Sequence, residues 1–147
     1  MNNYPWRITM HESILGSELP TVAALAYLGD AAHSLYVRRR LVELGICKSG
    51  ELNEAAQKYV TAEAQAAMLR AIEGELLDDE LAVCRRAANS SHLNKPKRAS
   101  SADYRAATGF EAVIGMLEWI GDRERLFALL DLAHGIFTDN DKGDIEK

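Results

Sequence analysis

Along most of the chain, apolar residues recur at three- and four-residue steps, the spacing that lines up one face of a helix. After Pro20, a good first-turn residue, the residues Leu25, Leu28, Ala32, Leu35 and Tyr36 form such a stripe. It predicts a long helix that stops near Gly45, just after Arg38, Arg39 and Arg40. Ser49 suits the cap of a short helix carrying Leu52, Ala55 and Ala56. Thr61 suits the cap of another, with Ala64, Met68, Leu69 and Ile72 facing inward and Gly74 at its end. Asp78 or Asp79 opens a helix holding Leu81, Val83 and Cys84. Ser101 or Asp103 caps the next, whose apolar side is Tyr104, Ala107, Phe110, Val113, Ile114 and Leu117, and Gly121 with Asp122 breaks it. A last helix carries Leu126, Leu129, Leu130 and Leu132 to about Phe137. Alternating β-branched runs are absent, as are internal repeats, so the expected fold is all-α.

Two segments break the pattern. Residues 88–101, ANSSHLNKPKRASS, are polar and basic, contain Pro96 and show no periodicity, which predicts an exposed loop. Residues 138–147 read as a polar C-terminal tail, leaving 1–137 as a single domain. A chain of 147 residues buries about two thirds of its unfolded surface, enough for a core without staples. Cys47 and Cys84 show no metal-binding or disulfide spacing, which points to a reduced, cytoplasmic protein. The first ten residues are polar and contain Pro5, and no apolar run approaches the roughly 20 residues of a membrane span.

The formal charge of −5 speaks against nucleic acid as a partner, but the average conceals an uneven distribution. Between Arg85 and Arg105 six basic residues (Arg85, Arg86, Lys95, Lys97, Arg98 and Arg105) face Asp103 alone. From Glu118 onward acids outnumber bases by eight to four.

Two acids are out of place. AYLGDAA, residues 26–32, puts Asp30 into a run of small and apolar residues, and ATGFEAVIG, residues 107–115, does the same with Glu111. A carboxylate in such a setting is costly unless it caps a helix, is hydrogen-bonded, or meets a cation. If the two helices cross, the carboxylates converge and repel unless a proton or a metal is shared between them. Oxygen-only ligation suits Mg²⁺ or Mn²⁺. The small residues Gly109 and Gly115 beside Glu111 would permit a close approach.

LAYLGDA, residues 25–31, resembles the signature motif of the ribonuclease III family, in which an aspartate is catalytic. TGFEAVIG, residues 108–115, is similar to that family's second active-site helix. YVRRRL, AAQKYVTAEAQA, CRRAANS and NKPK…DYRAATGFEA extend the resemblance from about Leu19 to about Leu130 and point to the Mini-ribonuclease III subgroup, which has no double-stranded-RNA-binding domain. Full-length ribonucleases III carry four acids per site. This chain has Ala26 and Thr108 at two of those positions and keeps Asp30 and Glu111, as the subgroup does. It also departs from the subgroup's R-R-G-R-N-A pattern at Arg85-Arg86-Ala87-Ala88-Asn89-Ser90, losing one arginine.

The resemblance implies a ribonuclease III endonuclease-domain fold, a homodimer, and Mg²⁺-dependent (Mn²⁺ possible) cleavage of double-stranded RNA. Maturation of large-subunit (23S) ribosomal RNA precursor, free or in a pre-ribosomal particle, would be its task. Asp30 and Glu111 would hold the metal and carry the catalysis, and Arg85, Arg86, Asn89, Lys95, Lys97, Arg98 and Arg105 would contact RNA. Duplex RNA is read mainly through phosphates, 2′-hydroxyls and shape, which suits a basic segment without sequence-reading elements. The dimer interface is expected on the apolar, glycine-containing surface beside the first motif, around Tyr27 and Leu28. A catalytically silent RNA-binding homodimer is the alternative. The arginines 38–40 lie near a helix C-terminus, where cations are favoured in any case. His33, three residues after Asp30, either hydrogen-bonds that carboxylate or is a core or surface imidazole.

Overall fold

The computed structural model describes residues 19–90 and 100–145, and the side chains of 19–90 and 100–137. Lys95, Lys97 and Arg98 therefore lie outside the described residues. Within them the chain forms α1 (Val22–Glu43), α2 (Ser49–Val60), α3 (Ala62–Ile72), a 3-10 turn (Glu73–Glu75), α4 (Asp78–Ser90), α5 (Ser101–Ile120) and α6 (Arg123–Ile145), with no strand. The all-α expectation holds.

Local chemistry sets most helix ends. Thr21 rather than Pro20 starts α1, its Oγ1 accepting from the Ala24 N–H at 3.2 Å. The helix closes at Gly45, where φ is 87°. There the Gly45 and Ile46 N–H groups return to the carbonyls of Val42 and Leu41. Thr61 caps α3 as expected, accepting from the Ala64 N–H. Ser49 does not cap α2: it is the first helical residue, and Lys48 precedes it without a side-chain cap. Ser100 caps α5, accepting from the Asp103 N–H, so the helix begins just ahead of both expected caps. Gly121, with φ of 74°, ends α5. Asp122 then accepts from the Arg125 N–H at the start of α6. This last helix runs to Ile145, past the expected end near Phe137. Apolar periodicity marks where a helix packs, so it does not locate an end lying beyond the last apolar repeat.

Helix α5 forms the centre, with α1, α3 and α4 packed around it. Of its expected apolar side, Ala107, Phe110, Val113, Ile114 and Leu117 are buried and Tyr104 is only half-buried; Ala64, Met68, Leu69 and Ile72 of α3 are all buried. The α1–α5 contact is the closest. A Cβ on Gly29 would lie 2.6 Å from the Glu111 carbonyl carbon, and one on Gly115 would lie 2.7 Å from that of Leu25. Only two glycines let the backbones meet this tightly. Gly109 serves the α4–α5 contact likewise, since a Cβ there would press on Cys84.

The apolar stripe expected on α1 is corrected. Leu25, Ala26, Gly29, His33, Tyr36, Val37 and Leu41 face the core. Leu28 and Ala32 are only half-buried, and Leu35 is 68% exposed. The helix has two apolar faces, and periodicity alone does not say which one meets α5. The outer face joins Leu126, Phe127 and Leu130 of α6 in a shallow groove of about 290 Å³. Tyr27, 84% exposed, stands beside it in sequence. Gly29 is not on that surface, being buried against α5.

Candidate active site

Helix α1 runs without interruption through Asp30, so this residue neither ends a helix nor caps one. Its side chain is exposed, so it carries no burial cost, and the acid held among apolar residues is Glu111. The Gly29–Gly115 contact lays the Glu111 backbone against α1 immediately before Asp30, and Asp30's charge is felt at Glu111. The two lone acids are thereby brought into one electrostatic site.

Glu111 lines a cleft of about 360 Å³ together with Ala23, Ala26, Gln65, Ser90, Tyr104 and Thr108. Ala26 and Thr108 are the two positions at which a four-acid site would carry carboxylates, and here they leave open space beside Glu111. Asp30 is exposed and does not itself line the cleft. Burial, and after it the charge of Asp30, push the Glu111 carboxyl up to about 7, while a hydrogen bond from Gln65 pulls it down. A carboxyl whose ionised form is disfavoured by burial and by a neighbouring carboxylate constitutes a site that a cation would relieve. Among the described residues no group of three or more His, Cys, Asp or Glu side chains is placed to hold a metal. Any ion at Asp30 and Glu111 would therefore complete its shell with water or phosphate oxygens. Mg²⁺ accepts one or two carboxylates on those terms, so the donor set fits it.

Of the basic residues, Arg85, Arg86 and Asn89 are exposed on α4, and Arg105 is exposed on α5. Asn89 adjoins Ser90, and Arg105 adjoins Tyr104, both of which line the cleft. Arg105 stands six residues before Glu111 on one helix, about 9 Å along its axis. Arg39 instead pairs with Glu43 at 3.1 Å, and Arg40 donates to the Tyr36 hydroxyl at 2.7 Å.

His33 does not turn to Asp30. It is fully buried, with Nε2 2.9 Å from Nε2 of His134 and Nδ1 3.4 Å from Nε2 of Gln65. Burial holds it neutral, down at about 4, and burial with the neighbouring His33 and Arg40 holds His134 at about 3. Gln65 carried no sequence signal, because a glutamine within AEAQAAM reads as an ordinary helix former. Its burial was the one clue, and only packing reveals it.

Residues 23–123 match the ribonuclease III domain. A Mini-ribonuclease 3 of Symbiobacterium thermophilum is 44% identical over 109 residues, covering 74% of this chain and 84% of the relative. One of Brevibacillus brevis is 41% identical over 112 residues, covering 76% and 84%. A crystal structure of a Fusobacterium nucleatum protein superposes with a TM-score of 0.72 at 24% identity, over 80% of this chain and 90% of that one, and supports the fold. The continuous α1 that carries Asp30, its glycine-mediated crossing with the Glu111 helix and these relatives agree: the chain belongs to the ribonuclease III family, in its Mini-ribonuclease III branch, and is an endoribonuclease of that family.

Proposed function

We propose that this endoribonuclease cleaves double-stranded RNA in a reaction that depends on Mg²⁺, or Mn²⁺, held by Asp30 and Glu111. The observation that carries the reading is the pairing of two isolated acids beside an open cleft, one of them pushed up to about 7 by burial and by the other's charge. A bound divalent ion would lower the pKa of a coordinated water and polarise a phosphoryl oxygen. Asp30 and Glu111 orient that chemistry. The small side chains of Ala23 and Ala26 leave room at the cleft wall for the scissile phosphate.

RNA is held by Arg85, Arg86 and Asn89 of α4 and Arg105 of α5, with Lys95, Lys97 and Arg98 of the basic segment as further contacts. Contacts of this kind read phosphate and shape, so affinity depends on salt rather than on base sequence. The outer apolar face of α1, with Leu28, Leu35 and Phe127 of α6, is the contact surface of a homodimer. A two-fold pair supplies one site for each strand of a duplex. Residues 1–137 form the catalytic unit. Among the described residues no helix is long and apolar enough to cross a membrane, and the substrate class places the enzyme in the cytoplasm. Its substrate there is the precursor of large-subunit ribosomal RNA, free or in a pre-ribosomal particle.

The test is cleavage mapping on precursor large-subunit RNA with the wild type, Asp30→Ala and Glu111→Gln, with Mg²⁺ and with EDTA. Discrete cuts in duplex regions by the wild type with Mg²⁺ alone, lost in both variants, are expected. Identical ends from wild type and Glu111→Gln would refute the assignment of the second acid.

A further inference from the structure

Behind the cleft a line of buried polar groups runs from Glu111 into the core. Gln65, 2% exposed, lines the cleft with Glu111 and hydrogen-bonds its carboxyl, and Nε2 of Gln65 lies 3.4 Å from Nδ1 of His33. Nε2 of His33 is 2.9 Å from Nε2 of His134. Among the described residues no buried side-chain nitrogen or oxygen lacks a hydrogen-bond partner. The directions of these bonds follow from simple chemistry. An ionised carboxylate only accepts, so Gln65 presents its N–H to Glu111. The second N–H of the same NH₂ group then points to His33 Nδ1, which must accept. The His33 proton therefore sits on Nε2 and is given to His134 Nε2, and the His134 proton sits on Nδ1. Two imidazole nitrogens 2.9 Å apart cannot both carry protons, so the pair stays neutral.

Resting on the reading of Glu111 as a cation ligand, we propose that Gln65 is a positioning residue for this site: its amide, locked by His33 and His134, holds Glu111 so that an oxygen is left facing the cation. The lock works because the amide cannot flip. Reversal would set the Gln65 carbonyl oxygen against the Glu111 carboxylate, two acceptors with no proton between them, and would require the His33 proton to move to Nδ1. Phe110 packs edge-on against His33 at 5.2 Å, and Tyr36 and Tyr59 pack against His134 at 4.8 and 5.4 Å, so neither ring is free to turn. A site with only two protein carboxylates has little redundancy. A Glu111 free to rotate would bind the ion more weakly even with every ligand present.

Two measurements test this. The first needs no variant: ¹⁵N-resolved NMR of the metal-free wild type in alkaline buffer, where Glu111 is ionised, reading the tautomers of its histidines. His33 protonated on Nε2 and His134 protonated on Nδ1 is the expected pattern; a proton on Nδ1 of His33 would overturn the lock. The second is Gln65→Met, which keeps the volume and removes both donors, with duplex-RNA cleavage titrated against Mg²⁺. The half-saturating Mg²⁺ concentration is expected to rise about tenfold while KM for RNA stays the same. An unchanged Mg²⁺ dependence, at whatever rate, would overturn the positioning role. A wild type that never cleaves duplex RNA would instead refute the function on which the proposal rests, and the tautomer measurement would still decide the hydrogen-bond chain.

Discussion

Gly29 and Gly115 face each other where α1 crosses α5: a Cβ on Gly29 would come within 2.8 Å of the Gly115 nitrogen, and one on Gly115 within 2.9 Å of the Gly29 nitrogen. The obstacle is backbone on both sides, so no rotamer change relieves it. Gly29→Ala and Gly115→Ala should each cost about 3 kcal/mol or more, at the upper end of overpacking effects. They should also lower cleavage in whatever fraction stays folded, because the crossing sets Glu111 relative to Asp30. Gly135 lies mid-helix with open space at its Cβ position. Gly135→Ala should therefore stabilise by roughly 0.5–1 kcal/mol. Denaturant midpoints for the three variants check both signs.

A second constraint ties α4 to α6. Glu80 is 2% exposed and accepts from Arg125 Nε at 3.0 Å and Nη2 at 2.7 Å, while taking the Leu77 N–H at the start of its own helix. Arg125→Ala strands a buried carboxylate and should destabilise by roughly 3 kcal/mol. Arg39→Ala breaks an exposed pair with Glu43 and should change stability by less than about 0.5 kcal/mol. Chemical denaturation of both proteins separates the two cases.

Stability should fall on acidification from neutral pH, driven by the buried histidines. His33 and His134 protonate near 6.5 when unfolded but only at about 4 and about 3 when folded. Between 6.5 and 4 the unfolded chain binds more protons, so each histidine removes about 1.4 kcal/mol per pH unit as pH falls. Glu111 acts in the opposite sense. Its folded value of about 7 exceeds the ordinary 4.5, so its contribution to stability is lost as pH rises through that range. Two histidines outweigh one glutamate from pH 6.5 to 4.5, and Glu111→Gln should make the acid-side decline steeper. Thermal melts of metal-free protein across this window read the effect; a flat wild-type profile would contradict the neutral histidine pair.

Binding of duplex RNA should be strongly salt-dependent. Arg85→Ala, Arg86→Ala and Arg105→Ala should each weaken it and reduce the slope of log affinity against log salt by about one. Arg39→Ala, whose arginine is engaged with Glu43, should leave the slope unchanged. Fluorescence anisotropy at several salt concentrations, in Ca²⁺ to suppress cleavage, distinguishes the two groups.

How far the sequence can be read depends on which physics is local. The helices, Thr61 as a cap, Gly45 and Gly121 as stops and the inward faces of α3 and α5 all follow from neighbours within a few residues. Asp30 and Glu111 stood out because an acid among small apolar residues is costly where that run is buried; the packing half-buries Glu111 and leaves Asp30 exposed. What was not legible depends on packing between distant segments. The choice between the two apolar faces of α1 needed α5. The turn of His33 toward His134, 101 residues away, needed α6. Gln65 is unremarkable until burial forces each of its N–H groups to find a partner.

The central claim is that Asp30 and Glu111 together hold a divalent cation, and anomalous scattering from crystals grown or soaked with Mn²⁺ addresses it most directly. A single strong peak, or a close pair, within bonding distance of both carboxylates in the wild type and absent in Glu111→Gln is the expected result. Crystals of cleavage-competent protein that show Mn²⁺ bound elsewhere, or no ion between these two side chains, would contradict it.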